Sequence, residues 1–249
     1  MKTKRQRVLV TGSSRGIGKE IALELAAEGW RVAVHYSHND KEAKIVAQEL
    51  GDSFAGLYQA DLADPKQADS LWKAATISEP LHALVNNAGV YYPHRFNELS
   101  DDAFWTMYER TMAINFESPV RLMRRAAASF ASAGGGKILN VASRVGFRGE
   151  AGASMYSASK AALINVTRAL AVELAPQNIQ LFGIAPGWVE TAMAREGMGD
   201  RLPAILKDIP LGRMAKPEDC ANVAAFLLSE KANYLSGVTI DINGASYFH

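Results

Sequence analysis

Short runs of consecutive apolar residues alternate along the chain with longer stretches whose apolar positions recur at helical spacing. Val8-Leu9-Val10 and Val32-Ala33-Val34 carry no polar residue on either face, as strands do when helices cover both sides of a parallel sheet. The same logic predicts strands over Arg7 to Thr11, Arg31 to Tyr36, Phe54 to Gln59, Ala83 to Asn86, Lys137 to Val141, Ile179 to Ile184 and Val238 to Ile242. Between them, Gly18 to Gly29 places Ile21, Ala22, Leu25 and Ala26 on one helical face, with Gly29 as the stop. Asp64-Pro65 predicts an N-cap followed by proline in the first turn, and long helices are expected near Phe104 to Ala131 and Ser157 to Leu174. Strand–helix alternation of this kind predicts an α/β fold: a Rossmann-type, doubly wound parallel sheet of about seven strands, helices on both faces, joined by right-handed crossovers. Ala133-Gly134-Gly135-Gly136 is too short to separate domains and joins a helix to the fifth strand. The expectation is therefore one domain over 1–249, with a mobile substrate loop at about 188–213 beyond the sixth strand.

Composition narrows the class. Apolar residues make up 48% of the 249, enough for a sizeable core and too many for a disordered chain. The 27 basic and 26 acidic side chains nearly cancel, so nothing points to a nucleic-acid or membrane partner. No apolar run approaches the roughly 20 residues a bilayer span needs. The basic start from Met1 to Arg7 leads into a strand and a turn instead of a signal-peptide core, and the expectation is a cytoplasmic protein. The single cysteine, Cys220, falls in a predicted helix and reads as a buried structural thiol.

Chemistry enters at the first strand–helix junction. Thr11-Gly12-Ser13-Ser14-Arg15-Gly16-Ile17-Gly18 is a glycine turn of Gly-x3-Gly-x-Gly spacing. Such a turn brings backbone close to a pyrophosphate at a helix N-terminus. The second strand ends Val34-His35-Tyr36-Ser37-His38 without the carboxylate that would bind a ribose 2′-hydroxyl. Arg15 and Ser37 are instead suited to a 2′-phosphate, which favours NADP(H) over NAD(H). Asp40 on the ribose of NAD is the alternative, although Asp40 falls where the next helix begins.

Three further signals follow successive strands: Asn86-Asn87-Ala88-Gly89, Ser143, and Tyr156 with Lys160 four residues on, sharing one helical face. A tyrosine that trades a proton near neutral pH needs its pKa brought down from about 10, and a neighbouring ammonium does that. Ser143 is placed to hydrogen-bond a substrate oxygen, completing an acid/base for carbonyl reduction. Taken singly, each has a plain structural reading: a half-buried ring with a solvated amine, a turn serine, a buried amide at Asn115. What argues for chemistry is that the topology gathers all of them at one sheet edge.

In this combination and order the chain resembles the short-chain dehydrogenase/reductase family in its single-domain branch, from Thr11–Gly18 through Asn86–Gly89, Asn115, Ser143, Tyr156 with Lys160, to Pro186-Gly187 and Thr191. The resemblance implies that Tyr156 is the catalytic acid/base, that Lys160 lowers its pKa and holds the nicotinamide ribose, that Ser143 polarises the carbonyl, and that Asn115 supports a proton relay. It implies cofactor contacts at Gly12, Ser14, Arg15, Gly16, Ile17, Gly18, Tyr36, Ser37, Asp61, Leu62, Asn87, Ala88, Gly89, Pro186, Gly187, Val189 and Thr191. No metal is implied. Within the family, Ile209 to Asp219 and Leu235-Ser236-Gly237 are most like 3-oxoacyl-[acyl-carrier-protein] reductases, so a 3-oxoacyl thioester or related ketone is expected. Two departures stand against that detail. Ala133–Gly136 and Ala175-Pro176-Gln177 occupy the helix ends where arginines are expected to dock the acidic carrier, and Asn243-Gly244-Ala245 replaces a double glycine.

Substrate contacts are expected from Ser143, Phe147, Arg148, Tyr156 and Trp188, within a wider lining of Tyr91, Tyr92, His94, Arg144, Met155, Met193, Met198, Leu202 and Leu206 that suggests a moderately apolar substrate. Arg144 and Arg148 read equally as anion contacts or as solvated surface charges. The resemblance further implies a homotetramer or dimer paired through the long helices. The competing readings are an NAD-dependent alcohol or sugar dehydrogenase, and a cofactor-sensing protein that performs no chemistry.

Overall fold

Strands β1 (Arg7–Val10), β2 (Arg31–Tyr36), β3 (Phe54–Gln59), β4 (Ala83–Asn86), β5 (Gly136–Val141), β6 (Ile179–Pro186) and β7 (Thr239–Ile242) form one parallel sheet in the order β3-β2-β1-β4-β5-β6-β7. The structure, a computed structural model, describes residues 5–249. Alternation within each strand sorts the core into two layers. Val8 and Val10 of β1, with Val32, Val34, Val85 and Leu139, point to one face, whereas Leu9, Ala33, Leu84 and Ile138 point to the other. Helices α1 (Gly16–Ala27), α2 (Asp40–Leu50) and, late in the chain, Pro217–Leu228 cover the first face. Helices α3 (Lys66–Thr76), α4 (Asp101–Met112), α5 (Ser118–Ala133) and α6 (Ser154–Leu174) lie on the opposite side, where Trp72 meets Phe130 edge-on at 6.0 Å between ring centres.

Thr11 lies just past β1: its N–H still bonds the Val85 carbonyl at 2.9 Å, and the chain turns at Gly12. β6 runs two residues further than expected, with Pro186 opposite Ile242. α3 begins one residue after Pro65, and the Asp64 carboxylate accepts from Lys66 N at 3.1 Å. The expected long helix from Phe104 to Ala131 is two helices joined by a π-helical turn, Ala113–Glu117. Pro119 explains the break, since it has no N–H to continue an i→i−4 ladder back to Asn115.

The segment after β6 carries structure of its own. Helices α7 (Ala192–Met198) and α8 (Leu202–Lys207) precede α9 (Pro217–Leu228), and Val189 pairs with Ala215 in a short parallel bridge. Met198, Ile205, Ile209 and Met214 pack with Trp188, Ala194 and Leu206 into a small core separate from the two main layers. Cys220 is fully buried in α9, where burial pushes its thiol up to about 12 and leaves it inert.

Candidate active site

Strand order reverses between β1 and β4, and beyond the carboxyl ends of these strands lies a cavity of about 890 Å³. Two loops are stitched together at its floor. Thr11 Oγ1 accepts from the N–H groups of Asn87 and Ala88, both at 3.0 Å, while Asn87 Nδ2 donates to the carbonyls of Thr11 at 2.9 Å and Gly12 at 3.1 Å. The fit requires glycine at two places. A side chain on Gly12, which sits at φ +63°, would come within 2.9 Å of Ala88 Cα, and one on Gly18 would overlap Asn87 and the Gly12 backbone.

His35 supports the same turn from below. Its Nδ1 accepts from Gly12 N at 2.9 Å and its Nε2–H donates to the Ala60 carbonyl at 3.1 Å. Burial brings its pKa down to about 4, so the ring stays neutral and keeps Nδ1 free to accept. Sequence reasoning passed over this residue; its signal was a lone imidazole at the end of an otherwise apolar strand.

All the residues expected to hold a dinucleotide, Gly12, Ser14 to Gly18, Tyr36, Ser37, Asp61, Leu62, Asn87–Gly89, Pro186, Gly187, Val189 and Thr191, line this one cavity. No carboxylate ends β2. Asp40 starts α2, accepts from Tyr36 Oη at 3.0 Å and pairs with Lys44 at 2.7 Å, and it is not in the cavity wall. Arg15, Ser37 and His38 do line it, with the Ser37 hydroxyl 2.8 Å from His38 Nδ1. The glycine cradle, Arg15 and the absence of a carboxylate at the end of β2 fit a dinucleotide bearing a 2′-phosphate.

At the other end stand Ser143, Tyr156 and Lys160. Their placement follows from the stripe that α6 buries: Ser159, Lys160, Leu163, Ile164, Thr167, Ala171 and Leu174. Asn86 Nδ2 donates to Asn140 Oδ1 at 2.9 Å, and Asn140 Nδ2 donates to Thr167 Oγ1 at 2.8 Å, so a buried polar chain fixes the rotation of α6 against β4 and β5. One turn before Lys160, Tyr156 is thereby turned into the cavity. Lys160 Nζ donates to the Val141 carbonyl at 2.8 Å and lies 5.7 Å from the centre of the Tyr156 ring.

Burial dominates the charges here. It pushes the Tyr156 phenol up to about 12, with Ser143 pulling it part of the way back, and brings Lys160 down to about 8. The expected lowering of the Tyr156 pKa by Lys160 is therefore not seen in the protein groups alone, because the ammonium is itself desolvated and lies over the ring face. Asn115, fully buried on the π turn, accepts from Val90 N at 2.9 Å and donates to the Val90 carbonyl at 3.0 Å and Ser159 Oγ at 3.1 Å. It stands behind the cavity wall, linking the β4 loop to α6.

The substrate side departs from expectation. Trp188, Tyr91, Arg144 and Met193 line the cavity, with Tyr91 packed on Tyr156 at 5.1 Å between ring centres. Phe147 and Arg148 do not. Phe147 is turned away to stack on His249 at 3.6 Å, with Arg168 over the ring at 5.4 Å. Tyr92, His94, Met155, Met198, Leu202 and Leu206 are also outside the wall, and Met198 and Leu206 are spent on the small core of the α7–α8 segment. Arg144 is not a solvated charge: it is buried and paired with Glu150. Glu150 is a wall residue that sequence reasoning missed, because no spacing rule distinguishes it from a loop carboxylate.

Residues 12–245 match the family model described as enoyl-(acyl carrier protein) reductase. The chain is 36% identical over 246 residues to a 3-oxoacyl-[acyl-carrier-protein] reductase of Staphylococcus aureus, covering 96% of this chain and 97% of that one. A short-chain type dehydrogenase/reductase from Mycobacterium marinum superposes with a TM-score of 0.90 at 30% identity, covering 98% of this chain and 96% of that one. The chain belongs to the short-chain dehydrogenase/reductase family. It is an oxidoreductase, and its seven-stranded sheet is that family's fold. A blue fluorescent protein from a metagenomic library, solved in complex with NADPH, is also similar, with a TM-score of 0.89, 33% identity and 98% of each chain covered.

Proposed function

We propose that this short-chain dehydrogenase/reductase uses NADP(H) to interconvert a ketone and a secondary alcohol, with Tyr156 as acid/base. One observation carries the reading. A single cavity joins a glycine cradle and Arg15 at one end to Ser143, Tyr156 and Lys160 at the other. The NADPH seen with the similar fluorescent protein supports the cofactor.

When bound, the dinucleotide supplies or accepts the hydride. The protein's part follows from its own groups. The Gly12–Gly18 turn and the N-terminus of α1 offer N–H groups to the pyrophosphate, and Arg15 offers a guanidinium to the 2′-phosphate. Tyr156, neutral in its buried setting, donates its phenolic proton to the oxygen of the reacting carbonyl. Ser143 Oγ shares the charge that develops on that oxygen. Lys160, held by the Val141 carbonyl, provides the nearby positive charge that stabilises the phenolate left behind. Asn115 holds the β4 loop against α6 and so keeps these groups in register.

The name of the staphylococcal relative favours a 3-oxoacyl thioester or a related ketone as substrate. The expected assembly is a homotetramer or dimer, for which exposed Trp105 on α4 and Val172 on α6 provide apolar surface on the long helices. NADPH oxidation followed by absorbance, with NADH in parallel, over acyl thioesters, diketones, quinones and keto-sugars tests the reading. Turnover with NADPH on a ketone supports it; tight NADPH binding without turnover of any carbonyl would leave a cofactor sensor instead.

A further inference from the structure

One pair of charges in the cavity wall takes no part in the steps above. Arg144 follows Ser143 directly, and Glu150 lies in the loop that leads into α6. Arg144 Nη2 donates to Glu150 Oε2 at 3.1 Å and Nη1 donates to Ser246 Oγ at 2.8 Å; the two charged side chains are only 5% and 18% exposed. Arg144 Nε is sealed off and has no partner among the described residues. Glu150 Oε1 differs. It has no hydrogen-bond partner among the described residues, yet it is not sealed, and its residue faces the cavity. Glu150 shares this wall with Ser143, Tyr91 and Tyr156, and its negative charge helps to raise both phenols.

An ion pair is an expensive wall for a site that receives only hydrocarbon. Replacing a buried pair by apolar side chains is often neutral or stabilising, and an alkyl chain lying against Glu150 would strip water from an acceptor without replacing its hydrogen bond. Net charge does not select the ligand, because Arg144 already balances Glu150. The nearby Arg201 is engaged as well, by Tyr91, by the Met198 carbonyl at 3.2 Å and over the Trp188 ring at 5.6 Å. What the wall offers is therefore a directional acceptor in a locally neutral setting, and its complement is a neutral O–H donor.

Resting on the reading of this cleft as a ketone reductase, we propose that Glu150, oriented by Arg144, is a substrate-specificity residue that accepts a hydrogen bond from a substrate hydroxyl near the reacting carbonyl, so that the preferred substrates are hydroxylated ketones and not simple acyl chains. Ser143 and Tyr156 then bind the carbonyl oxygen, while Glu150 fixes the substrate at a second point and so sets which part of it reacts.

The test is kcat/KM with NADPH for matched substrates: hydroxyacetone against butanone, a ketopentose against its deoxy analogue, and an acetoacetyl thioester. Three proteins are compared: the wild type, Glu150→Gln, and the double variant Arg144→Met/Glu150→Leu, which leaves no orphaned arginine behind. The wild type is expected to prefer each hydroxylated ketone by roughly 10-fold to 100-fold, the scale of a hydrogen bond to a charged acceptor. The double variant, which removes the acceptor, should lose more on the hydroxylated member than on the plain one, so that the preference collapses. Glu150→Gln, which keeps a neutral acceptor, should retain a reduced preference. A wild type that turns over plain ketones or the thioester equally well overturns the inference and leaves the reductase reading standing. A folded double variant that keeps the wild-type preference overturns it in the same way. A folded wild type that binds NADPH but turns over no carbonyl overturns both.

Discussion

Tyr156 and Arg15 each make a claim that one substitution can check. With its hydroxyl removed, the ring at position 156 still packs on Tyr91, so Tyr156→Phe should keep the cavity and its affinity for NADPH while lowering turnover by roughly 100-fold or more, the scale of lost general acid catalysis. Full activity in that variant would remove Tyr156 from the mechanism. Arg15 lines the nucleotide end of the cavity, and β2 ends there without a carboxylate. Arg15→Ala should weaken NADPH by roughly 10-fold to 100-fold, as expected for a charge-assisted hydrogen bond, and leave NADH almost unchanged. Equal losses in a titration with both nucleotides would make the arginine purely structural. The placement of both residues in one cavity was legible in the sequence because it depends on position after a strand or in a glycine turn, which order along the chain already specifies. Phe147 was not: four residues past Ser143, it leaves the site because His249 and Arg168, distant in sequence, sandwich its ring.

Among the elements, the π turn between α4 and α5 does the most to build the site. Pro119 interrupts the helix, and the interruption carries Asn115 to a point where its amide bonds both the β4 loop and Ser159 of α6. Asn115→Ala removes three hydrogen bonds at once and strands the Val90 N–H. It should destabilise the fold by about 1–3 kcal/mol, read by urea denaturation, with a parallel fall in kcat/KM. A variant of unchanged stability would show that the β4 loop is held by Thr11 and Asn87 alone. The long helix was legible as hydrophobic periodicity, but its break was not, since a proline early in a helix is usually a start signal. The α7–α8 segment divides in a related way, with Met193 in the cavity wall and other residues turned elsewhere. Its methionines and leucines look like a pocket lining, yet Met198 and Leu206 are used to give the segment a small core of its own.

For the molecule as a whole, one buried imidazole ties stability to pH. His35 bridges the glycine turn after β1 to the end of β3, and it must be neutral to accept from Gly12. Its folded pKa is about 4, below the ordinary 6.5, so the unfolded chain binds the proton more readily. Stability is therefore complete above about pH 6.5, falls as the pH drops toward 4, and levels off below, a loss on the order of 3 kcal/mol. Urea denaturation at pH 7 and pH 5 should show this loss developing, and His35→Asn should flatten it. An unchanged slope in the variant would assign the acid sensitivity to other groups.

The apolar runs, the glycine turn and the order of Asn115, Ser143, Tyr156 and Lys160 were enough to specify a parallel α/β sheet and the two ends of its cleft. They suffice because these features are local: strand burial is written in consecutive apolar residues, and a phosphate turn in glycines that must avoid a Cβ. Only the tertiary structure decided that His35 braces that turn, that Phe147 and Arg148 leave the wall, and that Arg144 and Glu150 enter it as a pair. Each depends on partners far apart in the chain, such as Ser246 beside Arg144 and Ala60 beside His35, and periodicity carries no information about which side chains long-range packing brings within hydrogen-bonding distance.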